Sequence, residues 1–131
     1  FKAVNDTYGH PIGDEVLRRL ALTCLRCFPR KDDFVARYGG EEFAAILSIH
    51  DAENAARIAE RFLDTVRALR VQYEGGELGI TVSAGLALLR PGDDALGWVA
   101  RADRALYAAK QGGRDRFVLA DAPEPKARAA A

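Results

Sequence analysis

The chain has 131 residues, 49% of them hydrophobic, which suits one compact domain with a single modest core. Lysine plus arginine number 19, as do aspartate plus glutamate; this balance argues against a nucleic acid polymer as partner, which needs clustered basic residues, while leaving room for a small anion held by a few cations. No apolar run approaches the ~20 residues of a membrane span and no signal peptide opens the chain, so contact with a membrane is expected only through an upstream domain.

Residues 1–14 are rich in Gly, Pro, Asn and Asp and predict a loop. From about Ile12, the residues Val16, Leu17, Leu20, Cys24 and Phe28 recur at helical spacing, and Pro29 stops that helix. Cys24 and Cys27 fall inside the pattern. No second Cys/His pair completes a zinc set, so they read as buried reduced thiols, in keeping with a reducing cytoplasm. Residues 34–38 and 43–49 predict two strands, joined by a tight hairpin in which Gly39 and Gly40 supply permissive backbone. Asp51 is a candidate N-cap for a second helix through Arg70, with Ala55, Ile58, Ala59, Phe62, Val66 and Leu69 on one face. Residues 73–79 read as a turn or short ribbon, and 80–89 as β-rich. Pro91-Gly92-Asp93-Asp94 is a turn that also offers a cap. A third helix is predicted over 95–110, with Leu96, Val99, Ala100, Asp103, Leu106 and Tyr107 on one side, and Gly112-Gly113 ends it. Residues 116–119 predict a last strand, and 120–131 a flexible Ala/Pro/charge-rich tail.

The segment with most chemistry is Arg37-Tyr38-Gly39-Gly40-Glu41-Glu42-Phe43. Glycines at a hairpin tip let backbone approach a ligand, and adjacent carboxylates there can hold a hard cation. On these residues alone an ordinary hairpin with a solvated acidic turn is the better explanation, because Gly-Gly turns are common. Three further stretches stand in order with it. They are Phe1-Lys2-x-x-Asn5-Asp6-x-Tyr8-Gly9-His10-x-x-Gly13-Asp14, Thr81-Val82-Ser83-Ala84-Gly85, and Ala102-Asp103-Arg104-Ala105-Leu106-Tyr107-Ala108-Ala109-Lys110-Gln111-Gly112-Gly113-Arg114-Asp115.

Together these motifs resemble the GGDEF domain of bacterial diguanylate cyclases, in its GGEEF form, from residue 1 to about 119. The resemblance implies an α/β fold (an α+β sandwich) of the ferredoxin-like, nucleotide-cyclase type, a mixed sheet flanked by helices. The element order read above lacks the opening strand that such a fold needs before its first helix. The implied activity condenses two GTP into cyclic di-GMP and pyrophosphate, in a transient homodimer, with magnesium or manganese. Glu41 and Glu42 match its catalytic, metal-binding acids. Asn5 and Asp14 match its guanine readers, since an amide and a carboxylate answer the N3/N2 and N1–H/N2–H edges. Gly39 and Gly40 would bring backbone close to ligand, and Lys2, Lys110 and Arg114 match phosphate contacts, the last two sharing a helix face four residues apart.

Each has a plainer alternative. Lys110 and Arg114 can favour a helix C-terminus, Asp14 can cap a helix, Asn5 can stabilise a turn. Asp103 reads as a structural hydrogen-bonding acid. Arg30-Lys31-Asp32-Asp33 matches the family's R-x-x-D product-inhibition motif, with Arg30 and Asp33 binding cyclic di-GMP and Arg61 joining them; the alternative is a solvated charge run. Family members carry Asp-x-Asp just ahead of the Phe-Lys at which this chain starts, and its first Asp is a metal ligand. The expectation is an active whole protein and poor activity from these 131 residues alone. A second function to weigh is a non-catalytic receptor for cyclic di-GMP on the same fold.

Overall fold

The computed structural model describes the backbone of residues 2–120 and the side chains of residues 4–120. Lys2's side chain and the tail residues 121–131, both assigned roles above, lie outside that description. Contacts divide the chain into two compact units, one holding the residues up to Ser48 with Asp64–Ile80, the other Ile49–Leu63 with the residues from Thr81 on.

The first unit corrects the expected opening loop. Residues Lys2–Tyr8 form a helix, α1, and a second helix, α2, spans His10–Cys27. The glycine and proline that suggested a loop are confined to the junction. Gly9 has φ 91°, which glycine adopts without steric cost, and its N–H donates to the carbonyl of Asn5 at 2.9 Å. Pro11 sits in the first turn of α2, where its missing N–H is no loss. Val16, Leu20, Thr23 and Cys24 line the buried face of α2. Strands β1 (Phe34–Arg37) and β2 (Phe43–Ile46) pair antiparallel, Phe34 opposite Ile46 and Arg37 opposite Phe43. The connection is a wider turn in which Tyr38 N–H and Gly39 N–H both donate to the Glu42 carbonyl. Neither Gly39 nor Gly40 takes a left-handed φ, so the hairpin does not use the freedom expected of them.

A further antiparallel pair, β3 (Arg70–Tyr73) and β4 (Gly76–Gly79), completes this unit. Its strand replaces the expected last turn of the second helix, because the apolar period changes from helical to alternating and Val71 is fully buried. Arg19 of α2 donates to the Arg70 carbonyl at 3.3 Å, and the Tyr8 and Tyr73 rings meet edge to face at 5.0 Å. Helix α3 (Ala52–Arg67) crosses the division between the units; Asp51 caps it, its carboxylate accepting from the Asn54 N–H at 2.8 Å.

In the second unit β5 (Ala84–Leu86) runs parallel to β6 (Phe117–Leu119), and α4 (Ala95–Gln111) forms the crossover packed on both. β5 is far shorter than the stretch expected over 80–89. Gly85 explains how close helix and strand come: a Cβ there would lie 2.3 Å from the Ala102 carbonyl oxygen. The buried residues of α4 are Arg101, Ala105 and Ala109, two of them small. Leu96, Val99 and Tyr107, expected to be part of the inward side, are exposed, so the larger apolar residues do not mark the packed face. Arg101 is itself buried; its guanidinium donates to the Leu88 carbonyl at 2.8 Å and pairs with Asp93. Asp94 caps α4 through the Gly97 N–H at 2.8 Å.

Candidate active site

Asn5 of α1, Asp14 and Leu17 of α2, Arg37 of β1, and Gly40, Glu41 and Glu42 of the turn line one open cleft of about 510 Å³ within the first unit. Five of the residues singled out in the sequence meet there: Asn5, Asp14, Gly40, Glu41 and Glu42. Leu17, read above only as an apolar helix position, and Arg37, given no role of its own, line the cleft as well. The signal for Arg37 was available, since a cation directly before a Gly-Gly-Glu-Glu turn has acidic and carbonyl partners at hand.

The plainer alternatives for two of these residues do not survive. Asp14 does not cap α2: the N-cap is Gly9, without a side-chain cap, and Asp14 lies five positions further on, exposed. Asn5 does not hold a turn through its side chain. It sits inside α1, and its Oδ1 is shielded from solvent yet has no hydrogen-bond partner among the described residues. A buried acceptor left unmatched costs about 1–3 kcal/mol, which a ligand's N–H would recover.

Gly40 is informative for a different reason. Beyond its own chain neighbours, no atom of the described residues lies within 4 Å of the place a Cβ would occupy, and its φ is not left-handed. Nothing inside the chain requires glycine there, whereas a ligand entering the cleft would gain the space. Glu41 is exposed and Glu42 half-buried. No salt bridge engages either among the described residues, and no group of three potential metal-ligating side chains forms there. Two adjacent carboxylates without a cationic partner fit a hard divalent cation as a partial donor set, one that phosphate oxygens of a substrate would complete.

Lys110 and Arg114 belong to the second unit. The shared helix face expected for them does not form. α4 ends at Gln111, and Arg114 lies beyond it with φ 64°, its N–H donating to the Ala109 carbonyl at 3.0 Å. Gly113 and Asp115 are left-handed too, with φ 117° and 51°. A run of such conformations after a helix costs energy at its non-glycine members and fixes the direction in which Arg114 leaves the helix.

Arg30 and Asp33 close a turn. The Asp33 carboxylate accepts from the Arg30 N–H at 3.3 Å and the Ser48 N–H at 3.4 Å, with the Arg30 Nε at 3.7 Å. Its side chain is 2% exposed against 58% for Arg30. Arg61 is exposed on α3, in the other unit. Cys24 and Cys27 are free thiols; burial pushes Cys24 up to about 11, with Cys27 adding to the effect, so Cys24 stays protonated and unreactive at neutral pH.

Three relatives set these features in context. "Diguanylate cyclase A" of Treponema denticola is 41% identical over 97% of this chain, which spans 34% of that protein. "Diguanylate cyclase DgcZ" of Escherichia coli K12 is 44% identical over 92% of the chain, corresponding to 40% of its own length. The crystal structure of the GGDEF domain of DgcB from Caulobacter crescentus in complex with c-di-GMP superposes with TM-score 0.86 at 39% identity, covering 92% of this chain and 72% of that one. Together with the agreement in strands and helices, this makes the α+β fold that of the GGDEF structures. The family model for "Diguanylate cyclase, GGDEF domain" matches residues 1–116, and the chain belongs to that family.

Proposed function

We propose that this chain is the catalytic domain of a diguanylate cyclase, which joins two GTP molecules into cyclic di-GMP and releases two pyrophosphates. The observation that carries the reading is the convergence of an unmatched buried amide oxygen on Asn5, the exposed carboxylate of Asp14 and the adjacent acids Glu41 and Glu42 on one cleft. Asn5 and Asp14 would accept the N–H groups of guanine; adenine presents no N1–H and would leave Asp14 facing an acceptor. Glu41 and Glu42 would hold magnesium or manganese, which supplies charge stabilisation of the triphosphate when bound. Glu41 would take the proton of the attacking 3′-hydroxyl, whose oxygen bonds to the α-phosphorus of a second GTP as the bond to pyrophosphate breaks. Two such domains face each other in a transient homodimer, so positioning does most of the work. Lys2, Lys110 and Arg114 would hold phosphates, with Gly39 beside Gly40 in the turn that admits them. The domain would be residues 1–119 with 120–131 a tail, working in the cytoplasm.

Product inhibition is the second part of the proposal. The exposed guanidinium of Arg30 would grip cyclic di-GMP, with Arg61 contributing from its helix. The buried Asp33 carboxylate is held by two backbone N–H groups, which favours the role of keeping Arg30 presented over that of reading guanine itself. A receptor that makes no product is the competing reading, and the free acids of the turn speak for catalysis.

In the full-length gene product, Glu41→Gln should lower cyclic di-GMP formation from GTP by more than about 100-fold without unfolding the protein, since charge that organises the metal is lost while size is kept. Near-normal turnover in a folded variant would remove the catalytic role of Glu41.

A further inference from the structure

Arg37 ends β1 and sends its guanidinium back over the turn that follows. Its Nε donates to the Gly40 carbonyl at 3.0 Å and to the Gly39 carbonyl at 3.3 Å, and a terminal nitrogen donates to the Gly40 carbonyl as well. In a trans peptide the carbonyl and the following N–H point in opposite directions. Drawing the Gly39 and Gly40 carbonyls to one side therefore turns the N–H groups of Gly40 and Glu41 to the other. The N–H groups of Tyr38, Gly39 and Glu42 are all consumed inside the turn, whereas those of Gly40 and Glu41 have no partner among the described residues. Consecutive unpaired N–H groups on one side of a turn make an anion-binding concavity. Both residues line the cleft, and the space beside Gly40 is open.

We propose that Arg37 is a positioning residue: its guanidinium fixes the two peptide planes of the turn so that Gly40 and Glu41 present a preformed pair of N–H donors to a phosphate group of the nucleotide. The identity of that anion as nucleotide phosphate rests on the function proposed above. A forked planar donor is suited to holding two successive carbonyls at once, which a lysine ammonium does less well. The same contacts turn two carbonyl dipoles away from a substrate that they would repel. The rival role, a guanidinium that grips phosphate itself, requires Arg37 to release both carbonyls.

The two are separated by amide ¹⁵N–¹H spectra of the 131-residue chain titrated with magnesium pyrophosphate and, in a separate series, with guanosine. In the wild type, pyrophosphate should move the Gly40 and Glu41 resonances. Arg37→Ala should abolish those shifts and weaken pyrophosphate by about tenfold. Arg37→Lys should behave like the alanine variant, because it keeps the charge and loses the fork; it also decides the matter if the alanine variant does not fold. Unmoved Gly40 and Glu41 amides in the wild type, undiminished shifts in Arg37→Ala, or wild-type affinity in Arg37→Lys would each overturn the proposal. Guanosine should perturb Asn5 and Asp14 equally in all three proteins. Its failure to do so in the wild type would overturn the guanine assignment and leave the pyrophosphate series to judge Arg37 by itself.

Discussion

Single glycines of the chain differ in whether the fold or a ligand accounts for them. Gly9 is held by its left-handed φ, and Gly85 by the helix 2.3 Å from its missing Cβ. Gly40 has neither constraint. Gly40→Ala should therefore change stability by no more than about 0.5 kcal/mol, since alanine at a compatible φ also restrains the unfolded chain. It should nonetheless weaken binding of a non-hydrolysable GTP analogue by at least about tenfold, roughly 1.4 kcal/mol, by filling the space the ligand needs. Urea denaturation and calorimetry on the same protein check both halves. A folded variant of unchanged affinity would mean that no ligand approaches that Cα. The acids beside it make the opposite point: Glu41 and Glu42 have no ion-pair partner among the described residues to account for their adjacency, so their charge is available to a ligand.

At the scale of elements, β5, α4 and β6 form a crossover whose tightest contact is backbone against backbone. Gly85→Ala would drive a methyl group into the Ala102 carbonyl and the Leu106 amide, none of which can rotate aside. A loss of about 3 kcal/mol is expected, read as a lower urea midpoint with little change in slope. A stability change under ~0.5 kcal/mol would mean that the helix shifts without resistance. The elements also show where sequence patterns carry information. The pairing of β1 with β2, the Asp51 cap, a cap within residues 91–94 and the bodies of α2, α3 and α4 were legible, because spacing and caps act locally. α1 was not, because composition over 1–14 averaged a seven-residue helix together with the Gly9-Pro11 break that ends it. The buried side of α4 was missed since apolar residues surround that helix, and its buried positions are Arg101, Ala105 and Ala109 rather than its large apolar residues. In the cleft, Asn5, Asp14, Glu41 and Glu42 were legible as residue types in register. Arg37 was overlooked because its partners are carbonyl oxygens, which leave no trace in side-chain identity.

For the molecule as a whole, regulation and architecture can be probed apart from catalysis. The wild-type chain should bind cyclic di-GMP, and Arg30→Ala should weaken that binding by at least about tenfold, in calorimetry on folded protein, because charge-assisted contacts to phosphate or guanine would be lost. Equal affinity in both would remove Arg30 from the site, and no binding to the wild type would leave residues 30–33 as a turn. A product that favours one arrangement of two domains over another needs only a difference in affinity between the arrangements to act as an inhibitor. Elsewhere in the chain, the buried Arg101 binds Asp93 and the Leu88 carbonyl at once. Removing the carboxylate alone would take a counter-charge from a cation in a shielded place, and removing the cation alone would leave the Asp93 carboxylate with the Arg90 N–H but without the guanidinium. Either single step is worse than both together, so drift at these two positions is coupled: a lineage leaves the Asp–Arg pair by crossing an intermediate less fit than its start or its end, and the pair acts as a ratchet on the evolution of this half of the domain.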